Sequence, residues 1–220
     1  MAHYSQRQFV GWVKEAFPAC FAEKRVLEVG SLDINGSVRD FFERCEYTGL
    51  DVGPGPGVDV VCGGQEYDAP DASFDVVCSF EAMEHNPYWK ETFANMLRMA
   101  KPGALVLMSC ATYGRPEHGT SRSKPADSPL TAQIGWDYYR NLSAKEFGEA
   151  FDLSSELSGF ATAHYYFGHD LFLVGFRAGT PAPKQFSAFR RQLRWRYVLR
   201  NFLNKEAFQN MWRVRIGGEK

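Results

Sequence analysis

The sequence has no apolar run approaching the ~20 residues that a membrane-spanning helix requires. Its longest uncharged apolar stretch, Ala104 to Cys110, has the length of a buried strand. The chain does not open with a basic segment followed by an apolar one, so no secretory signal is expected. Cysteine is sparse: Cys20, Cys45, Cys62, Cys78 and Cys110 are odd in number and form no CxxC pair. That usage argues against a disulfide framework or a zinc site and for reduced thiols in a cytoplasmic protein. His164 and His169 are five apart and His118 follows Glu117, but HxxxH and HExxH spacings are missing, so no metal is expected. There is no internal repeat.

What is present is a chain of 220 residues, 45% hydrophobic and 15% aromatic, enough for a buried core and too apolar for a disordered chain. The length fits one α/β domain with a modest appendage. The net charge is −1, unevenly spread. From Pro181 onward there are ten Lys or Arg against two acids, a balance of +8, which leaves −9 on residues 1–180. We therefore divide the chain into a domain over 1–180, with an insertion at about 111–142, and a basic amphipathic helical extension over 181–220.

Hydrophobic periodicity places the elements. Ser5 to Phe17 reads as a helix with Phe9, Trp12, Val13, Ala16 and Phe17 on one face and Ser5 with Gln8 as a capping box. It either flanks a sheet or covers a ligand. Strands are expected at Arg25–Val29, Glu46–Val52, Val58–Cys62, Phe74–Phe80 and Ala104–Ser109, with helices at about Val38–Arg44 and Trp89–Ala100, the latter stopped by Pro102-Gly103. Ser143 to Phe151 reads as a helix boxed by Ser143 and Glu146, and Ala161–Phe167 with Leu171–Arg177 as an antiparallel hairpin. Alternating short strands and helices imply an α/β fold: a Rossmann-like, doubly wound, mostly parallel seven-stranded sheet with an antiparallel edge hairpin. Ligands bind such sheets beyond the C-terminal strand ends.

The strings VLEVGSLDINGS, YTGLDVG, VDVVCGGQEYDAPDASFDVVCSFEAMEH and LRMAKPGALVLMS lie at those ends. Together, over about Lys24 to Ala111, they resemble the class I S-adenosylmethionine-dependent methyltransferases, in particular the type 11 methyltransferase-domain family. The resemblance implies S-adenosyl-L-methionine as cofactor. Gly30 admits close backbone approach, and the turn of Ser31, Asp33 and Asn35 offers donors to its carboxylate. Glu28 helps on the ammonium side, and Asp51, beside Val52, accepts from both ribose hydroxyls. Gly64 and Gln65 read the adenine edge, and Ser79, Phe80 and Glu81 sit near the reacting methyl. The chain departs from the family where Leu32 replaces the middle glycine of the loop. It also lacks the G-x-G-x-x-G of dinucleotide binding, which disfavours an NAD dehydrogenase.

His85 is the candidate catalytic base, or else a packed histidine bonded to backbone. Tyr113, Arg115, His118, Tyr139 and Arg140 are candidates for acceptor binding, as an aromatic wall with a few polar groups and with arginines for a carboxylate or phosphate. The expected acceptor is a small molecule or glycan-like metabolite. A catalytically silent cofactor-binding protein, and a methyltransferase acting on RNA or protein, stay open. The extension, with Phe186, Phe189, Leu193 and Tyr197 at helical spacing among arginines, packs on its own domain, forms a homodimer, or meets nucleic acid or an anionic membrane.

Overall fold

A computed structural model describes residues 4–217; the expected domain 1–180 and extension 181–220 begin and end outside the described residues. Along the chain run α1 (Tyr4–Ala16), β1 (Arg25–Val29), β2 (Glu46–Asp51), β3 (Val60–Val61), β4 (Phe74–Phe80), α2 (Trp89–Met99) and β5 (Ala100–Ala111). Then follow α3 (Pro129–Gln133), α4 (Ala144–Ala150), α5 (Leu153–Glu156), β6 (Leu157–Tyr165), β7 (Asp170–Arg177), α6 (Phe186–Leu203) and α7 (Lys205–Gly217).

The strands form one seven-stranded sheet in the order β3-β2-β1-β4-β5-β7-β6. β1 through β5 pair in parallel, while β7 runs antiparallel to β5 and to β6. The expected α/β sheet with its antiparallel hairpin is therefore observed. The order reverses at β1, which has β2 on one side and β4 on the other, so the crevice opens at the ends of β1 and β4.

Alternation along the strands builds two cores. Leu27, Val29, Leu50, Val77, Val106 and Met108 face Trp89, Phe93 and Met96 of α2 and Phe147 of α4. Val26, Val76, Phe80, Leu107, Phe172 and Phe176 face Phe9, Val10 and Val13 of α1 and Phe186, Phe189, Leu193 and Tyr197 of α6. α1 thus flanks the sheet, its Phe9 ring 4.8 Å from that of Phe172.

Several local expectations are corrected. The helix over Val38–Arg44 is a single 3-10 turn, Arg39–Phe41. Phe42 is extended there, which lets it stack on Phe21 at 4.8 Å, and Arg39 lies 4.6 Å over the Tyr47 ring. Tertiary stacking of adjacent aromatics has outweighed helix propensity. β3 keeps only Val60 and Val61, because the Asp59 carboxylate takes the Gly49 N–H at 2.8 Å in place of a ladder bond. β5 starts four residues early. α2 ends at Met99, and Pro102-Gly103, expected to stop it, instead sit inside β5, in an irregularity where pairing jumps from Phe74–Ala100 to Val76–Leu105. Ser5 does not cap α1; it lies inside the helix and donates to Gln6 and Asp170, both at 3.0 Å. The Ser143–Glu146 box is formed at α4. The basic segment is two helices, broken at extended Asn204, whose side-chain oxygen accepts from Ala207 N–H at 3.0 Å.

Candidate active site

β1 ends at Gly30, whose φ is +81°. A Cβ there would stand 2.3 Å from the Ala82 Cβ, so glycine is what lets the turns after β1 and β4 touch. The N–H groups of Gly30 and Ser31 both donate to the Leu50 carbonyl at 2.9 Å. This ties the loop to β2 and carries Leu32 across, whose N–H donates to Asp51 Oδ2 at 3.0 Å. Asp51 Oδ1 accepts from Val52 N–H at 2.8 Å. Burial raises the Asp51 carboxyl while those two backbone donors hold it down.

The departure at Leu32 has a structural counterpart. Its side chain lies over Gly55, where a Cβ would meet Leu32 Cδ1 at 2.2 Å. Asp33 N–H donates to Pro56 carbonyl and Asp33 Oδ1 accepts from Gly36 N–H, each at 2.8 Å. The loop after β1 is thereby folded onto the glycine-rich turn after β2.

Two adjoining cavities lie over these strand ends. The first, about 260 Å³, is lined by Asn35, Glu81, His85, Arg115, His118 and Lys124 among others. The second, about 50 Å³, lies between Gly30, Leu32, Asp51 and Ala82 below and Leu130 and Thr131 above. Glu81, His85 and Asp127 belong to both. The insertion after β5 forms their roof, and Leu130 of α3 sits against Gly53, where a Cβ would be 2.7 Å from Leu130 Cδ2.

Glu81 is the shared wall. It is buried with φ +52°, a left-handed conformation that a non-glycine residue holds only when its surroundings enforce it. Its Oε1 accepts from Gln6 Nε2 at 2.9 Å and from Ser109 Oγ at 2.8 Å. Among the described residues its Oε2 is buried without a partner. Such an atom is costly unless something else satisfies it.

His85 is buried, its ring 4.9 Å from that of His118 and 5.5 Å from Tyr139. Burial, followed by the His118 charge, pushes its pKa down to about 3. The ring is therefore neutral near pH 7 and a weaker base than an ordinary imidazole, with Nδ1 buried and, among the described residues, unpartnered. Glu84 is the adjacent surprise. Burial and then the Glu81 charge push it up to about 8; Oε1 accepts from Ala111 N–H at 3.1 Å and Oε2 has no partner among the described residues. Arg115 donates to the Gly168 carbonyl and pairs with Asp170 at 3.3 Å. Burial lowers its pKa, but the charges of Glu81 and Asp170 prevail and hold it up.

Of the sequence-derived cofactor residues, Gly30, Asn35, Asp51 and Glu81 line the cavities; Glu28, Ser31, Asp33, Val52, Gly64, Gln65, Ser79 and Phe80 do not. The Glu28 carboxylate instead accepts from Tyr47 hydroxyl at 2.7 Å. Gly64 packs where a Cβ would meet Val29 and Thr92, and Thr92 Oγ1 donates to Gln65 at 3.3 Å. Ser31 and Ser79 keep buried hydroxyls without partners among the described residues. Arg115 and His118 line the first cavity, whereas Tyr113 stacks on His164, Tyr139 donates to Asn141 at 2.9 Å, and Arg140 pairs with Glu146. Sequence reading missed Glu84, Lys124, Asp127, Leu130 and Gln6. Only Glu84 carried a signal, its place beside His85. Glu84, His85 and His118 also bring one ligand atom each within 4.8 Å of one another, a donor set for a cation that spacing did not foresee because His118 arrives from the insertion.

A methyltransferase-domain family matches residues 1–138 of the chain. Among solved structures, a phosphoethanolamine N-methyltransferase 2 of Haemonchus contortus, in complex with phosphomonomethylethanolamine and S-adenosylhomocysteine, is similar at TM-score 0.56 and 14% identity over 80% of this chain. The match spans 53% of that protein, about half its length. The YcgJ protein of Bacillus subtilis is similar at TM-score 0.53 and 14% identity, over 81% of this chain and 100% of its own. No curated protein matches by sequence. At these identities the solved structures establish the fold, and the family match over more than half the chain establishes the kinship. The chain belongs to the methyltransferase-domain family.

Proposed function

We propose that this protein transfers a methyl group from S-adenosylmethionine to a small polar acceptor held beneath the insertion. The observation that carries the reading is Glu81: strained, buried, with one free oxygen, on the wall shared by the two cavities. The residues present fit the cofactor. Gly30 and Asp51 line the second cavity side by side, and the Asp51 carboxylate keeps lone pairs for a ribose diol after taking two backbone N–H groups. Bound there, the cofactor supplies an electrophilic sulfonium methyl.

The chain's own residues do the positioning. Glu81 Oε2 accepts a donor at the cofactor–acceptor boundary. His85, neutral, accepts through Nδ1 from an acceptor O–H or N–H and orients it, and removal of water beneath the roof strengthens these bonds. Arg115 and Lys124, set in the first cavity among the carboxylates of Glu81, Glu117 and Asp127, are the cationic groups that would meet a carboxylate or phosphate on the acceptor. The acceptor bound by the Haemonchus neighbour, a phosphorylated amine, is of that kind. Calorimetry with S-adenosylhomocysteine, then a screen of phosphorylated and carboxylated amines and alcohols for methylated product, tests the proposal. Absence of cofactor binding would overturn it.

A second reading, cofactor binding without transfer, draws on the narrowness of the cofactor-side cavity, about 50 Å³ under Leu130. Transfer of labelled methyl to any acceptor in the screen excludes it.

A further inference from the structure

α6 carries apolar side chains on two opposite faces. Phe186, Phe189, Leu193 and Tyr197 are buried against the sheet and α1, with Phe189 5.1 Å from Phe17 and Tyr197 5.2 Å from Phe172, ring to ring. The outer face shows Trp195, Leu199 and Phe202 at i, i+4 and i+7, which are 63%, 52% and 54% exposed, with Leu203 beside them at 83%. α7 extends this patch. Phe202 contacts Phe208 at 5.5 Å, and Phe208 contacts Trp212, itself 44% exposed, at 6.1 Å. Single exposed apolar residues are ordinary; two tryptophans, a phenylalanine and two leucines on one helical hairpin are not.

The border of the patch is cationic. Arg190, Arg191 and Arg194 are exposed and line a groove of about 640 Å³ between α6 and edge strand β6. Arg196 and Arg200 are held to the body over Trp12, at 4.5 and 5.1 Å. From Pro181 to Lys205 the sequence contains no acid. Two copies meeting through this face would set arginine against arginine without a compensating carboxylate on α6. A surface of negative headgroups over acyl chains satisfies both halves of the pattern: tryptophan and leucine enter the interfacial layer, and arginines meet phosphate.

The position is also apt. Asn201 bonds His164 carbonyl at 2.8 Å and Tyr166 N–H at 3.0 Å, and Asn210 donates to Tyr166 carbonyl at 3.1 Å. These bonds fix the end of α6 and the middle of α7 to the β6–β7 turn, whose Gly168 carbonyl receives Arg115 from the first cavity. We propose that the outer face of α6 and α7 docks on an anionic lipid surface, at the end of the molecule where the cavities open.

Co-sedimentation of the full chain with phosphatidylcholine vesicles, with and without about one third phosphatidylglycerol, tests this. Binding is expected on the anionic vesicles, and a loss of at least about tenfold on neutral vesicles or at high salt. W195S/F202S and R191E/R194E are each expected to lose binding by a similar factor while S-adenosylhomocysteine affinity stays unchanged, since none of the four side chains lines either active-site cavity. Equal binding to neutral vesicles, or undiminished binding by both variants, would overturn the proposal. A dimer in vesicle-free ultracentrifugation that W195S/F202S dissolves would also overturn it, assigning the face to a second copy.

Discussion

Gln6 and Glu81, 75 positions apart, are joined by a buried 2.9 Å hydrogen bond that runs from the first turns of α1 to the wall of the active-site cavities. With Ser109 on the same oxygen, it fixes the strained Glu81 so that its second oxygen stays unsatisfied. Glu81→Gln retains the shape and removes the charge. Turnover is expected to fall at least about tenfold with stability changed by under about 1 kcal/mol. Equal activity in wild type and variant would dismiss the role.

Asp51→Ala removes the acceptor proposed for the ribose. S-adenosylhomocysteine should bind about 10- to 100-fold more weakly by calorimetry, equivalent to roughly 1–3 kcal/mol. An unchanged Kd would place the ribose elsewhere.

Gly30→Ala meets both a positive φ and the Ala82 methyl, so a loss of stability of about 2 kcal/mol or more is expected in chemical denaturation. Combining it with Ala82→Gly relieves the collision and leaves the backbone strain, so the double variant should recover part of the loss. Strict additivity would show that the two turns do not touch.

Leu130→Ala thins the roof over Gly53. Association of S-adenosylhomocysteine, followed by stopped flow, should quicken several-fold, as expected when a closed segment gates entry. An unaltered rate would mean that the cofactor does not pass Leu130.

His164 is half-buried between Tyr113 and Tyr166, and burial pushes its pKa from 6.5 to about 4. The folded state therefore resists protonation that the unfolded chain accepts below about 6.5. Stability is full above that pH and declines as pH falls toward 4, by roughly 3 kcal/mol, then levels with respect to this group. His164→Asn should flatten that stretch of the stability–pH curve measured by urea denaturation.

The sheet was legible because its strands carry short β-branched runs bounded by glycine, proline and acids, and because Gly30, Asp51 and Glu81 stand at their ends. What was not legible depended on contacts across the fold. Phe42 left a helix to stack on Phe21, Asp59 shortened β3 by bonding Gly49, and Ser5 bonded Asp170 instead of capping. The site followed the same division. Gly30, Asp51 and Glu81 at strand ends line the cavities, while Lys124 and Leu130 reach them from the insertion and Gln6 reaches Glu81 from α1, where local pattern says nothing of destination. Glu28 carried the family's acid position yet turned to Tyr47, since side chains alternate between faces and the face of Val26 lies under α1.

The common roof has a kinetic corollary. Because Glu81, His85 and Asp127 border both cavities beneath one insertion, the proposed function has the spent nucleoside and the alkylated product leave by one shared exit. The tempo expected of that cycle is set by opening of the insertion at about 111–142, and substitutions at its ends are expected to alter throughput without touching any reacting atom.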